Sequence, residues 1–505
     1  MTTLPAGLPV VVDRAAAVPL AAQISAQLRA AAAAGVLRAG DRLPSTRGLA
    51  AALGVSRTVV TTAYARLFAE GWLEGRHGSG TYVADVAPAA PRLPAAPRLA
   101  AAPRLPAAPP SSDLDRAIGY APAASIAHLM SRAPAPPAES PISQAPLTSR
   151  DLINLSPGIP WAPGIEPAIW RRAWRYAGTR PPSPWPDPRG LPELRAELAD
   201  YLRRSRGLGV TPADILVTRG VSGGLALLAA AVLRPGDRAG VEEPGYPAAR
   251  EVLRRAGARI VPCRVDAHGI VPDELPGDLR LLYTTPAHQY PLGGRLPVGR
   301  RQALIAWARG CGAIVVEDDY DSEFRYDVGP LPALRGMDPD VVVYLGTTSK
   351  VLAPGFGAGW LAAGPGLVER LAELRPSLGE RVPEPVQHAL LALLTSGDLE
   401  RHIRRMRLEY ARRRAALVEA LRRPGHGRLL GDTAGMHVAL ELPAGFPVGR
   451  LITAAAARGV GLQALDRYFA GPPALTGLIL GYGAVPLTQV RRAASELGRL
   501  LARPC

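Results

Sequence analysis

The sequence predicts an α/β protein in three parts: a small helical N-terminal unit, a proline-rich connector and a large domain on a mostly parallel sheet. Three observations predict it. From Asp151 onward, short β-branched runs alternate with helical stretches, the pattern of strand–helix–strand units. Near the N-terminus, two capped helical stretches flank a glycine turn at Gly54. Between these regions the chain repeats Pro-Arg-Leu-Pro-Ala-Ala from Pro91, Pro-Arg-Leu-Ala-Ala-Ala from Pro97 and Pro-Arg-Leu-Pro-Ala-Ala from Pro103. Proline this dense forbids helix interiors and sheet centres and leaves extended, semi-rigid chain. The expected divisions are therefore 1–84, 85–150 and 151–505.

Bulk composition narrows the class of protein. No apolar run reaches the roughly 18 residues that a membrane helix needs. Met1–Asp13 lacks the basic start, apolar stretch and cleavage site of a secretion signal. The cysteines, Cys263, Cys311 and Cys505, are odd in number and far apart, which points to reduced thiols in a cytoplasm and away from a disulfide framework or a metal site. A net charge of +16 and a pI near 10.4 point to a polyanionic partner.

The N-terminal unit reads as three helices and a hairpin. Pro19–Ala34 places Leu20, Ile24, Gln27 and Leu28 on one face and stops at Gly35. Ser45 caps a short second helix that ends near Leu53, Gly54 and Val55 turn the chain, and Ser56 caps a third helix running to Glu70. This is a helix-turn-helix, whose second helix enters the major groove of double-stranded DNA with its N-terminus first. Ser45, Arg47, Ser56, Arg57, Thr58, Thr61 and Thr62 are the residues placed to meet phosphates and base edges. Tyr64, Leu67 and Phe68 fall on the other face and are expected in the core. Two strand-like runs then flank Arg76-His77-Gly78-Ser79-Gly80, a hairpin wing in which Arg76, His77 and Ser79 form a basic tip. Eight arginines face four acids over this unit.

In the large domain, Ile215–Thr218, Arg238–Val241, Leu281–Tyr283, Ala313–Glu317 and Val341–Leu345 read as strands, and Leu191–Arg206 and Gly224–Leu233 as helices. The most telling residue is Lys350, because it is the chain's one lysine. A chain that meets every other need for positive charge with arginine has kept one amine that can lose its proton and attack a carbonyl. The expected task is a Schiff base with an aldehyde, pyridoxal 5'-phosphate (PLP) being the common case. Asp318 follows a β-branched strand at the end where ligands collect in open α/β sheets. It fits the carboxylate that a pyridine nitrogen needs. Tyr320 fits the phenol beside the ring hydroxyl, and Tyr246 the aromatic face under the ring.

The segment Leu43–Val83 resembles the GntR-type winged helix at nearly every position. From about Leu152 onward the chain resembles fold-type I aminotransferases as they occur in the MocR/GabR subfamily of GntR-type transcriptional regulators. The resemblance rests on Asp187–Gly190, Glu243–Pro247, Thr285–Gly293, Glu317–Tyr326, Pro330–Leu334, Gly346–Lys350, Arg401–Arg407 and Gly481–Tyr482. It implies a DNA-binding regulator whose second domain holds PLP as an internal aldimine on Lys350, with Asp318 at the pyridine nitrogen and Tyr320 at the ring hydroxyl. That domain would sense PLP or an amine or amino-acid effector and would dimerise the chain. Ser222, Thr347 and Ser349 would supply hydroxyls to the phosphate. His288 is either structural or a ligand.

The sequence departs from this family in the phosphate cup. The family's arginine seven residues after the lysine is Gly357 here, its usual GSQQA turn reads Gly220-Val221-Ser222-Gly223-Gly224, and a common tyrosine is Trp185. A charge-assisted phosphate contact is worth roughly 1.5–3 kcal/mol, so losing it weakens binding by about ten- to a hundredfold. Arg219, beside the altered turn, is a candidate replacement. The C-terminal strand Gly477–Tyr482 also lacks the arginine that clamps a substrate carboxylate, unless one such as Arg467 reaches in. Two alternatives therefore stand beside the main reading. One is a regulator that no longer binds PLP well; the other is a working aminotransferase with an accessory DNA-binding domain.

Overall fold

The computed structural model describes residues 8, 10–16, 18–76, 80–84, 152–327, 331–423, 425–431 and 434–502. The connector 85–150, together with His77, Ser79 and Cys505, lies outside the described residues.

The N-terminal unit runs α1 (Leu20–Ala33), β1 (Arg42–Leu43), α2 (Thr46–Leu53), α3 (Arg57–Glu70), β2 (Leu73–Arg76) and β3 (Gly80–Val83). Both expected caps form: the Ser45 hydroxyl accepts the Gly48 N–H at 3.1 Å, and that of Ser56 accepts the Val59 N–H at 3.4 Å. Left-handed Gly54 and Gly71 end α2 and α3. β2 and β3 pair antiparallel as the wing, and β1 adds to β3 with Arg42 opposite Tyr82. Ile24, Leu28, Leu49, Val60, Tyr64 and Leu67 make the core. Gln27 is not core; its side chain ties down the incoming chain through both backbone groups of Val11. Buried Glu70 accepts a bidentate pair from Arg29 at 2.7 Å and a contact from Arg66 at 3.1 Å.

Phe68 corrects the sequence reading. It is 37 % exposed, because one residue past Leu67 turns the side chain about 100° off the core stripe. It lines a groove shared with Gly71 and with Pro244, Pro297 and Phe469 of the large domain. Val298 of that domain packs into the N-terminal core.

The large domain opens with β4 (Ile153–Asn154), α4 (Pro167–Gly178) and α5 (Pro192–Arg206). It continues through β5 (Ile215–Thr218), α6 (Gly220–Val232), β6 (Arg238–Glu243), α7 (Pro247–Arg255), β7 (Arg259–Asp266), β8 (Gly269–Ile270), β9 (Leu281–Thr284) and α8 (Val298–Cys311). Next come β10 (Ile314–Asp319), β11 (Val342–Thr347), β12 (Gly359–Ala362), α9 (Pro365–Leu378), α10 (Glu384–Thr395) and α11 (Asp398–Leu421). An eight-stranded sheet forms in the order β5-β12-β11-β10-β9-β6-β7-β8. Its strands from β11 to β7 are parallel, while β12 runs against both neighbours.

Alternate residues feed two cores, as a sheet covered on both faces requires. Ile215, Val217, Tyr344 and Trp360 point to one side, and Leu216, Val343, Leu345 and Leu361 to the other. The C-terminal part carries β13 (Arg428–Leu430), β14 (His437–Leu442), α12 (Val448–Ala456), β15 (Val460–Gly461), β16 (Gln463–Ala464), β17 (Thr476–Gly481) and α13 (Leu487–Leu501). Its antiparallel sheet is ordered β13-β14-β17-β16.

The expected strands are all present, most of them one or two residues longer or shifted by one. The expected helix at Gly224–Leu233 starts four residues earlier, at Gly220. Glycines at 223 and 224 weaken the local signal for helix, but Gly224 packs so closely on Leu345 that an added Cβ would sit 3.0 Å from it.

Candidate functional site

Five strand ends converge on one cavity. It has a volume of about 130 Å³ and is lined by Arg219–Ser222, Tyr246, Tyr290, Asp318, Tyr320, Thr347, Ser349 and Lys350. β10 delivers Asp318 and, just past its end, Tyr320; β11 delivers Thr347 and the turn to Ser349 and Lys350; the β5–α6 junction delivers Arg219–Ser222; and the segments after β6 and β9 deliver Tyr246 and Tyr290. The residues expected at the ring (Lys350, Asp318, Tyr320, Tyr246) and at the phosphate (Ser222, Thr347, Ser349) thus share one cavity.

Lys350 is held ready for chemistry as an amine. Its Nζ donates to the Gly158 carbonyl at 2.7 Å. Burial lowers its pKa, while the charges of Asp321 and Asp318 work the other way. Gly158 has φ +72°, and a Cβ there would come within 2.7 Å of Nζ, so only glycine admits the amine.

Asp318 is 4 % exposed. Tyr283, which faces Val316 across the β9–β10 pair, puts its hydroxyl on Asp318 Oδ2. Asp318 Oδ1 is buried with no hydrogen-bond partner among the described residues. Burial pushes this carboxyl up to about 7, against the hydrogen bond from Tyr283 that favours its charged form. Burial likewise raises the Tyr246 and Tyr320 hydroxyls. Tyr290 stands edge-on to both rings, with centroids 5.8 and 5.6 Å away.

His288 does not line the cavity. It sits behind Tyr320, with Nδ1 2.9 Å from the Tyr320 hydroxyl and 3.0 Å from Asp321 Oδ2. Of the two roles left open, the structural one fits this place. Arg467 is not among the lining residues either, so it brings no guanidinium to the cavity.

At the β5–α6 junction, Gly220 adopts φ +70° and the N-terminus of α6 opens onto the cavity. Thr347 Oγ1 donates to Ser349 Oγ at 2.9 Å, and both hydroxyls lie against Gly220. Arg219 caps the helix by position and makes no side-chain cap bond. Gly357 is left-handed, with nothing within 4 Å of a Cβ placed on it.

The sequence reading missed Tyr283, Tyr290 and the Gly158 carbonyl. Only the sheet register could have revealed Tyr283, since it lies one strand over and carries no motif. Gly158 is 192 residues from the lysine it meets.

On the N-terminal unit, Arg47, Ser56, Arg57, Thr58, Thr61 and Thr62 are all exposed at the start of α2 and α3. Ser45 is exposed as well, though its hydroxyl is engaged as a cap. Arg57 Nε reaches Thr46 Oγ1 at 3.4 Å, bridging the two helices. The other end of α3 meets the large domain at Gly71, so the presented end is free of that contact. Arg76 ends β2.

A winged helix-turn-helix beside an aminotransferase-like cavity defines a two-domain regulator, and the comparisons agree. Residues 20–83 match the model for bacterial regulatory proteins of the gntR family, and residues 151–453 match that for aminotransferases of class I and II. The chain is 37 % identical over 492 residues to the HTH-type pyridoxine biosynthesis transcriptional regulator PdxR of Corynebacterium glutamicum, covering 97 % of this chain and 98 % of that one. It is 34 % identical to the probable rhizopine catabolism regulatory protein MocR of Rhizobium meliloti, covering 96 % and 94 %. An archaeal alanine:glyoxylate aminotransferase superposes with a TM-score of 0.65 at 26 % identity, covering 69 % of this chain and 90 % of that one.

The chain belongs to the MocR-type GntR family of transcriptional regulators, which join a gntR-type helix-turn-helix to an aminotransferase class I and II domain. It is a DNA-binding transcriptional regulator, and PLP is the cofactor of its aminotransferase-like domain. No described helix is long and apolar enough to cross a membrane.

The cavity suits that cofactor on its own evidence. A pyridinium N–H needs a buried acceptor, and Asp318 Oδ1 is an unpaired one. An aldehyde needs an unprotonated amine, and burial moves Lys350 toward that state.

Proposed function

We propose that the chain controls transcription by reading the occupancy of this cavity. The parts would be a DNA-binding unit over 1–84, a connector over 85–150 and an effector and dimerisation unit over 151–505. The observation that carries the reading is that the chain's one lysine shares a cavity with the unpaired oxygen of buried Asp318.

Bound PLP supplies an aldehyde and an electron-withdrawing ring. Lys350 provides the amine that holds the aldehyde carbon. Asp318 accepts the proton-bearing ring nitrogen through Oδ1 while Tyr283 fixes its other oxygen. The Tyr320 hydroxyl meets the ring hydroxyl, and Tyr246 covers a ring face. Ser222, Thr347 and Ser349 donate to the phosphate. Ser45, Arg47, Ser56, Arg57, Thr58 and Thr61 meet the operator, and Arg76, His77 and Ser79 of the wing follow the adjacent backbone.

The effector is PLP itself or an amine that competes with Lys350 for it. Similarity to a pyridoxine biosynthesis regulator supports the first. Ligand control requires that the occupied cavity favour one arrangement of the domains over another. The protein would act as a homodimer in the cytoplasm, where Cys263 and Cys311 stay free thiols.

The test is an absorption spectrum after PLP addition and desalting, with borohydride reduction and peptide mapping, followed by operator selection from random duplexes with and without PLP. A reduced adduct on Lys350 and PLP-dependent DNA affinity are expected. No adduct would overturn the cofactor reading. On the selected operator, Arg57→Ala should weaken binding and lower the salt slope by about 1, as the loss of one phosphate contact does.

A further inference from the structure

We propose that Arg219 grips the phosphate of the cofactor, from the opposite side of the sequence to the position where relatives of this chain are expected to carry their arginine. The inference rests on the reading that PLP occupies the cavity. Charge comes first. A phosphate monoester carries close to two negative charges at neutral pH. Of the residues lining the cavity only Lys350 and Arg219 are cationic. Lys350 must give up its proton to hold the aldehyde, and its amine is turned to the Gly158 carbonyl. Arg219 is left as the one lasting positive charge in the lining.

Its position suits the task. Arg219 immediately precedes α6 and makes no side-chain cap bond to it, so the first amides of the helix remain open to an anion. Gly220 brings those amides next to the hydroxyls of Thr347 and Ser349: a Cβ placed on it would lie 3.5 and 3.9 Å from their oxygens. Amides, hydroxyls and one guanidinium thus meet at one end of the cavity. Oδ1 of Asp318, the unpartnered oxygen of a side chain that is 4 % exposed and lines the same cavity, marks where the ring nitrogen goes.

Its lack of other employment points the same way. Arg375 donates to Glu380 at 2.8 Å and Arg206 to Glu323 at 2.7 Å, whereas Arg219 makes no hydrogen bond or ion pair among the described residues. At Gly357, nothing described lies within 4 Å of a Cβ placed on the backbone.

Arg219 is exposed, and this sets the character of the grip. A guanidinium open to solvent is screened by salt where a buried one is not. The phosphate contact should therefore be weaker than a buried one and fall with ionic strength. PLP would then exchange with the medium, as a sensed ligand must.

The experiment is a pair of absorbance titrations, with PLP and with pyridoxal (which lacks the phosphate), on the full chain and on Arg219→Ala and Arg219→Lys. Melting without ligand checks that each variant folds. Arg219→Ala should bind PLP roughly ten- to a hundredfold more weakly, keep its pyridoxal affinity, and lose the salt dependence seen in the parent. Arg219→Lys should recover part of the loss. Unchanged PLP affinity in Arg219→Ala, or an equal fall for PLP and pyridoxal, would overturn the proposal. A parent chain with no Lys350 adduct would instead bring down the cofactor reading, and this proposal with it.

Discussion

The two ends of the cofactor cavity are built to different standards. Around the ring, Asp318 and Tyr320 are buried, Tyr283 is fully enclosed, and every group has a fixed neighbour except the one oxygen awaiting the ring. Around the phosphate, one exposed arginine, three hydroxyls and a glycine-rich helix start do the work, and Gly357 contributes no side chain. Buried polar partners raise the cost of every mismatch, so the ring end specifies chemistry. Exposed partners contribute modest and screened affinity, so the phosphate end sets how long the ligand stays. An enzyme holds its coenzyme firmly at both ends. A regulator that must report PLP needs the first end and is served by weakness at the second.

The largest effect should come from Lys350. Lys350→Ala should abolish the Schiff-base absorbance and the borohydride-trapped adduct altogether. Lys350→Arg should do the same, since guanidinium stays protonated where an amine does not. If either variant kept the adduct, the chemistry would lie outside this cavity and the comparison of its ends would lose its meaning.

Asp318→Asn is next, and it separates binding from stability. With PLP, the loss of a charged acceptor should weaken binding by roughly ten- to a hundredfold. Without PLP the sign reverses. The folded carboxyl sits at about 7 against an ordinary 3.8. Below about pH 4 it is protonated in both folded and unfolded chains and costs nothing. As pH rises from about 4 to 7 only the unfolded chain ionises, so stability is lost, and above 7 the full cost of about 4 kcal/mol applies. Unliganded Asp318→Asn should therefore melt above the parent at pH 8, with the gap closing toward pH 4. A variant that melts lower at pH 8 would mean that the unpaired oxygen has a partner in solution and is not waiting for a ring.

The ring end was far more legible in the sequence than the rest, for a physical reason. A lone lysine and the acids after a β-branched strand announce themselves locally, because the sheet places every strand end at the same edge. The caps Ser45 and Ser56 were equally plain, since capping is settled within three residues. What stayed hidden depends on distant chain. Tyr283 meets Asp318 only through strand register, Gly158 meets Lys350 across 192 residues, and the groove that Phe68 shares with Pro244, Pro297 and Phe469 joins distant parts of the chain.

The smallest effect should come from the phosphate hydroxyls, and it tests the contrast most closely. Thr347 and Ser349 already hydrogen-bond each other at 2.9 Å, and the Ser349 N–H donates to Thr347 Oγ1 at 3.0 Å. Each hydroxyl therefore has a partner without the ligand, and a phosphate gains only the difference. A neutral hydrogen bond is worth about 0.5–1.5 kcal/mol net, so Ser349→Ala should weaken PLP by roughly two- to tenfold in the same titration. Pyridoxal affinity should not move. A loss as large as that from Arg219→Ala would mean that neutral donors carry the phosphate, and the loose end of the cavity would then be held by its hydroxyls rather than by charge.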